Sequence, residues 1–256
     1  MSAGDELRGF LARLLGWDDL APVEHALRSV DLAATQRAPL VLCGDGDLVP
    51  IAHALHRRTF GPDQPFVLAD PRRGNTPATV RAPVNYRSGM AAFEAATDGS
   101  LCVRSRRPPR DFAEVMNLIR APSARVRIVV CADPYEMSHV LLVVSDPIRL
   151  PALETRASEL PRIVEEYAED ARGVLSSSAP FTQQDREWVV TRCASSLHEI
   201  EMATLRLVAI RLAGTVAHAA ELLGMSHGAL GEWFKQRRRN LSSTKTGVIQ
   251  FNPKVR

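Results

Sequence analysis

Between Ala38 and Leu150 short apolar runs alternate with helical stretches, and this alternation constrains the fold more than any other feature of the chain. The runs at 39–43, 66–69, 101–103 and 126–132 are apolar at nearly every position, whereas 48–58, around 90–96, and 111–120 carry helical spacing. A strand apolar on both faces must be covered on both, so the pattern predicts a mostly parallel sheet with crossover helices. A last short strand is expected at 148–150. Residues 5–34 read as two amphipathic helices, with Leu7, Phe10, Leu11, Leu14 and Leu15 on one stripe and Leu20, Val23, Leu27 and Val30 on the other, placed to cover the sheet edge. After Pro151 the signal is helical throughout. Its longest stretches are 160–171 and 185–212, and 176–180 is the clearest internal linker.

The C-terminal part has a more specific grammar. Ala219 and Ala220 are small enough for a second helix to cross closely, and Leu222 and Leu223 are expected to supply the apolar face of a short helix. Gly224 stands where a helix needs a left-handed residue to stop, and Ser226 where the next needs a side-chain oxygen for its first free amides. Leu230, Trp233 and Phe234 then recur at helical spacing and predict a second helix packed on the first. Its outer and N-terminal faces, with the basic residues that follow, give the expected DNA-binding set: Ser226, His227, Gly228, Ala229, Glu232, Lys235, Gln236, Arg237, Arg238 and Arg239. No acid follows Glu232, whereas Lys245, Lys254 and Arg256 add to the basic exit, a charge pattern suited to displacing counterions from a phosphate backbone. Gly228 and Gly231 each cost about 1 kcal/mol relative to alanine inside a helix, so fraying of this helix is expected.

With 256 residues, 45% of them hydrophobic, and a formal net charge of +3, the chain suits one sizeable core and a small appended module and excludes a disordered polymer. No apolar run approaches bilayer length, and the first residues lack the basic start and apolar stretch of a signal peptide, so a cytoplasmic protein without membrane contact is expected. Cys43, Cys102, Cys131 and Cys193 are widely spaced in apolar surroundings and read as small buried hydrophobes. His53 and His56 lie about one helical turn apart with no third ligand nearby in sequence, and neither a metal nor another cofactor is expected.

The segment Gly214-Thr215, Ala217, Ala219-Ala220, Leu223-Gly224-Met225-Ser226, Ala229-Leu230 resembles the Fis-type helix-turn-helix that closes sigma-54-dependent activators. The part before it resembles the AAA+ domain of the same activators. Residues 52–56 look like the helix after the phosphate loop, 89–101 like the approach to the second nucleotide motif, 126–133 like the sensor strand, and 150–161 like the start of the lid. The resemblance implies an α/β fold: a parallel-sheet AAA+-like domain with a helical lid, followed by an all-α helix-turn-helix module. It divides the chain into N-terminal helices (1–36), the AAA+-like domain (37–150), a lid-like region (151–195), the helix-turn-helix (196–240) and a basic tail (241–256).

The family's chemistry is missing position by position. The phosphate loop is reduced to Gly44-Asp45-Gly46-Asp47, and no lysine precedes Lys235. Asp45 and Asp47 are expected to face the phosphate position and repel phosphate. Arg104 and Ser105 stand where the family has its metal-holding and water-positioning carboxylates. Asp133 replaces the sensor Asn, His198 replaces the lid arginine, and the 71–83 run, rich in Pro and Arg, replaces the sigma-contacting loop. The implied molecule is a DNA-binding regulator with a degenerate, non-hydrolysing ATPase domain. Its partners are double-stranded DNA, a second copy of the chain, for which the apolar residues of 185–212 offer a seam or a face to dock on the lid, and the transcription machinery or another protein. Two alternatives stay open, a protein-interaction scaffold without specific DNA binding and a nucleotide-binding ATP-dependent activator. A strip comprising Arg104, Arg106, Arg107 and Arg110, with Arg72, Arg73 and Arg81 earlier, reads either as a second anionic contact surface or as a solvated face.

Overall fold

A computed structural model describes residues 3–78, 82–134 and 146–244. Helices α1 (Ala3–Leu15) and α2 (Ala21–Thr35) lead into strand β1 (Leu40–Cys43), helix α3 (Val49–Phe60), and strands β2 (Phe66–Ala69) and β3 (Val84–Tyr86). Helix α4 (Gly89–Ala95), β4 (Ser100–Arg104), α5 (Phe112–Arg120), β5 (Arg127–Ala132) and β6 (Ile148–Arg149) complete the α/β part. A 3-10 segment, Leu153–Glu159, opens a run of helices: α6 (Leu160–Val174), α7 (Gln183–Arg192), α8 (Leu197–Ala213), α9 (Val216–Leu222) and α10 (His227–Thr244).

The six strands form one parallel sheet in the order β3-β2-β4-β5-β1-β6. Period-two alternation sorts their apolar residues onto two faces. Leu40, Leu42, Phe66, Leu68, Cys102, Val129 and Cys131 face a core shared with α1–α3 and the C-terminal helices. Val41, Val67, Leu101, Val103, Ile128 and Val130 face a second core under α4 and α5, filled by Ala92, Val115 and Met116. Full burial of a side chain such as Leu42 or Ile128 contributes about 1.5–3 kcal/mol, which explains why these strands read as unbroken apolar runs. Helix α2 packs on β1 and on the edge strand β6. Gly99, just before β4, lies so close to Pro65 that an added Cβ would sit 1.9 Å from the Pro65 carbonyl oxygen, and only glycine fits there.

The core runs without interruption across positions 36/37 and 195/196. Arg13, 3% exposed, donates to Asp170 of α6 at 2.7 Å and lies over the Tyr167 ring. Arg156, also buried, donates to the carbonyls of Leu14 and Arg13 and pairs with Glu159 at 2.6 Å. These two arginines fasten α1 to the helices that follow the sheet.

Three sequence expectations are corrected. Strand β3 was not anticipated, because its central residue is Asn85. That side chain is buried by bonding backbone, accepting from the Asp70 amide at 3.0 Å and donating to the Gly74 carbonyl at 2.9 Å. The expected long helix at 185–212 is two helices. Ser196 caps α8 by accepting from the Glu199 amide at 3.1 Å, while Glu199 accepts from the Ser195 amide at 3.2 Å, and local side-chain bonding of this kind outcompetes continuation of α7. Most apolar residues of the pair, including Val189, Ile200, Leu207 and Val208, are buried inside the chain, chiefly where α6 crosses α8, and these offer no dimer seam. Leu222 is 44% exposed and does not share the apolar face of α9, which consists of Ala219, Ala220 and Leu223.

The four cysteines are free and buried. His53 stacks on Phe66 with ring centroids 4.9 Å apart, and His56 bridges the Ser100 hydroxyl and the Gln64 carbonyl. His56 is buried in the core and His53 lies partly buried at its margin. Burial, then the neighbouring charge of Arg57, pushes His53 down to about 4, and burial also lowers His56. As pH falls below the ordinary imidazole value near 6.5, the unfolded chain takes up protons that the folded chain declines. Stability therefore holds above about 6.5 and falls as pH approaches 4. Between pH 7.5 and 5 we expect urea denaturation to show a loss of about 1–2 kcal/mol attributable to these rings, reduced from the full linkage value because His53 keeps some solvent. His53→Gln should flatten that slope, and an unchanged slope would contradict the assignment.

Candidate functional site

In an open parallel sheet, the loops at the carboxyl ends of the strands converge, and ligands bind in the crevice between them. Here that edge gathers Gly44, Gly46 and Asp47 after β1, Arg104 and Ser105 at the end of β4, and Asp133 after β5, around a cavity of about 300 Å³. Arg73, Arg106 and Arg107 complete the rim. Six of the seven sequence-predicted residues thus meet at one place. Asp45 does not join them, because it is solvent-exposed and does not line the cavity.

Arg104 dominates the geometry. One guanidinium nitrogen donates to both Asp47 oxygens at 2.7 and 2.9 Å, and the other donates to Asp70 at 2.7 Å. Asp70, wholly buried at the end of β2, is also bonded by the Arg72 amide at 3.0 Å and approached by Arg73 at 3.8 Å. Burial by itself would raise the Asp47 carboxyl, but the hydrogen bonds and charge of Arg104 outweigh it and hold that carboxyl below its ordinary range. Burial likewise opposes the Arg104 charge, and Asp47 and then Asp70 more than restore it. The expected pair of phosphate-repelling acids is therefore corrected: Asp47 is neutralised by Arg104, and Asp45 faces solvent. Asp133 pairs with Arg106 at 3.1 Å, and Ser105 is buried with its amide bonded to the Cys131 carbonyl.

Chemically, the crevice presents a fixed guanidinium held between two carboxylates. His198 lies close enough for its charge to lower the Asp47 carboxyl further. Ser196 touches the same loop from α8, since a Cβ on Gly46 (φ +82°) would meet the Ser196 Cβ at 3.3 Å. Asp70 was missed by sequence reading. The signal that could have found it is its place immediately after the apolar run 66–69. Among the described residues, no group of three or more His, Cys, Asp or Glu side chains is arranged to hold a metal ion.

The second candidate region is built by α8, α9 and α10. Gly214 ends α8 in a left-handed conformation (φ +70°), and Thr215 caps α9 by accepting from the His218 amide at 3.3 Å. Gly224 (φ +59°) ends α9, the Met225 amide donates back to the Ala220 carbonyl at 2.9 Å, and the Ser226 hydroxyl accepts from the Ala229 amide at 3.2 Å. Leu230 is fully buried and Trp233 and Phe234 partly so, against the preceding helices. Despite Gly228 and Gly231, helix α10 is continuous from His227.

Of the ten expected DNA-reading residues, Ser226, His227, Gly228, Ala229, Glu232, Lys235, Gln236, Arg238 and Arg239 are exposed on this helix and its cap. Lys235 pairs with Glu232 at 2.8 Å on that surface. Arg237 is the exception and a correction. It is 8% exposed, pairs with the wholly buried Asp185 of α7 at 2.5 Å, and lies over the Trp188 ring, so its charge is spent inside the fold. Trp233 meets Trp188 edge-on at 5.1 Å. Arg81, Lys245, Lys254 and Arg256 lie outside the described residues. Among the described residues, no helix is long and apolar enough to cross a membrane.

No protein-family model matches the chain, and no curated protein matches it.

Proposed function

We propose that this chain is a DNA-binding transcriptional regulator whose α/β body is a non-hydrolysing relative of the sigma-54-activator ATPase domain. The observation that carries the reading is the exposed N-terminal and outer face of α10, presented behind a glycine turn and a serine cap, with Lys235, Arg238 and Arg239 on it. A second helix presented in this way enters the major groove N-terminus first, while the basic residues bond phosphates. The sheet order supports the relationship, since β1 lies between β5 and β6 with its loop at the crevice, as a phosphate loop requires. The order of elements along the chain is consistent with the reading, with helices from Leu160 to Arg192 following the sheet as a lid is expected to and α8–α10 coming last. Arg104 supports the non-hydrolysing reading, since its guanidinium, bonded to Asp47 and Asp70, stands at the residue where the resemblance expects a metal-holding carboxylate.

The body then serves protein contacts, including those of a second copy of the chain. Because most apolar residues of 185–212 are buried within the chain, a dimer would rest on apolar residues left at the surface, among them Leu212 at 43% and Leu222 at 44% exposure. Sedimentation of the full chain with Leu212→Glu tests that contact, and an unchanged dimer fraction rejects it.

Fluorescence anisotropy with labelled duplex tests the main reading. Affinity is expected to fall steeply between about 50 and 200 mM salt. No binding at the low end would leave the protein-interaction scaffold as the better account. Magnesium-dependent phosphate release above a heat-inactivated control would instead restore the ATP-dependent activator.

A further inference from the structure

The opposite edge of the sheet holds a second cavity, of about 520 Å³, lined by Arg37, Phe60, Gln64, Asp98, Arg125 and Arg127. It lies at the amino ends of β1, β2, β4 and β5 and at the carboxyl end of α3, and shares no lining residue with the crevice around Arg104. Three guanidinium groups meet one carboxylate there. Arg125 pairs with Asp98 at 2.5 Å, which leaves the charges of Arg37 and Arg127 in excess. The Arg37 guanidinium donates to the Ala124 carbonyl, a neutral partner. Arg127 lies 4.2 Å over the Phe60 ring, and its buried Nε has no hydrogen-bond partner. The carboxyl end of α3 offers only about half a negative charge, less than the surplus.

The backbone points the same way. Among the described residues, three other than glycine have positive φ, and two of them, Arg37 (+55°) and Asp98 (+66°), line this cavity. Asp tolerates that region, but arginine in it is strained, and strain of this kind clusters where surrounding structure holds a side chain for use. The left-handed turn at Arg37 brings its guanidinium alongside Arg127, close enough that Arg37, after burial, is the main influence lowering the Arg127 charge. Two like charges held together around an open cavity, Arg37 exposed and Arg127 half-buried, are what a divalent oxyanion satisfies.

We propose that this cavity binds a small phosphate dianion, either free phosphate or the terminal group of a phosphomonoester, between Arg37 and Arg127. The volume exceeds that of one phosphate and leaves room for the esterified group. This inference is independent of the DNA-binding reading and of the crevice at the other edge.

Isothermal titration of the full chain, in chloride-free acetate buffer, with inorganic phosphate, ribose 5-phosphate and citrate tests it. Saturable 1:1 binding of phosphate or of the sugar phosphate is expected, and preference between these two separates the free ion from the ester. Arg127→Met should weaken it about tenfold or more, the loss expected of a charge-assisted bond worth roughly 1.5–3 kcal/mol. Arg37→Gly keeps the positive φ while removing the charge, so it should fold and show the same loss. Arg192→Ala, which removes an exposed cation at the end of α7, should bind as the parent does. Absence of saturable binding by both phosphates, binding of citrate alone, or undiminished binding in Arg37→Gly and Arg127→Met would each overturn the proposal.

Discussion

Asp185→Ala is expected to lower the stability of the whole chain by about 3–5 kcal/mol, the cost of leaving a buried charge without its partner. Asp185 is wholly buried and accepts from the Thr182 amide at 3.0 Å and hydroxyl at 2.7 Å, from Arg211 at 2.6 Å and from Arg237 at 2.5 Å. It therefore completes the capping box of α7 and joins that helix to α8 and α10. Arg211 is one-third exposed and recovers water when the carboxylate goes, whereas Arg237 is enclosed beside Trp188. Most of the loss should arise from Arg237. Asp185→Ala combined with Arg237→Met should consequently be more stable than Asp185→Ala alone, since the second change removes the stranded charge. Urea unfolding of the four proteins of this cycle measures the coupling. A loss below about 1 kcal/mol for Asp185→Ala, or strict additivity of the two changes, would show that the pair does not hold α10 in place.

The sheet was legible because both of its faces are buried: a strand covered on both sides has to be apolar at consecutive positions, as in 66–69 and 126–132. β3 was not legible for the complementary reason, since Asn85 satisfies its buried amide through contacts with Asp70 and Gly74 that no local pattern announces. At the crevice, Asp47, Arg104 and Asp133 were picked out through the family resemblance, and the structure brings them to one edge. What sequence spacing could not supply was pairing across 57 positions: Asp47 and Arg104 seemed a like-charge hazard and a misplaced cation, but together with Asp70 they neutralise one another. Arg237 was misread for the same reason. In a run of three arginines the helical period turns one inward, and its partner, Asp185, lies 52 residues earlier. The caps at Gly224 and Ser226 were legible because caps are local by nature.

The same inward turn of Arg237 sharpens the largest functional prediction, that Lys235→Ala, Arg238→Ala and Arg239→Ala together weaken duplex binding by about two orders of magnitude near 0.1 M salt. Each cation that neutralises a phosphate contributes about 0.9 to the slope of log affinity against log salt, so the triple variant should lose about 2–3 from that slope. These three side chains are exposed on α10, and substituting them removes no buried contact, so the melting temperature should stay within the small range of surface changes. Arg237→Met should behave in the opposite way, changing stability while leaving the slope near that of the parent. Glu232 pairs with Lys235 on the exposed face of α10 and on the proposed reading would repel phosphate. Glu232→Gln is therefore expected to tighten binding several-fold by releasing Lys235, with no change in which sequences are preferred beyond the base nearest that residue. A triple variant that binds with the parent's salt slope would place the phosphate contacts elsewhere on the molecule. A slope that falls only with Arg237→Met would mean that α10 leaves its seat on α7 when it engages DNA.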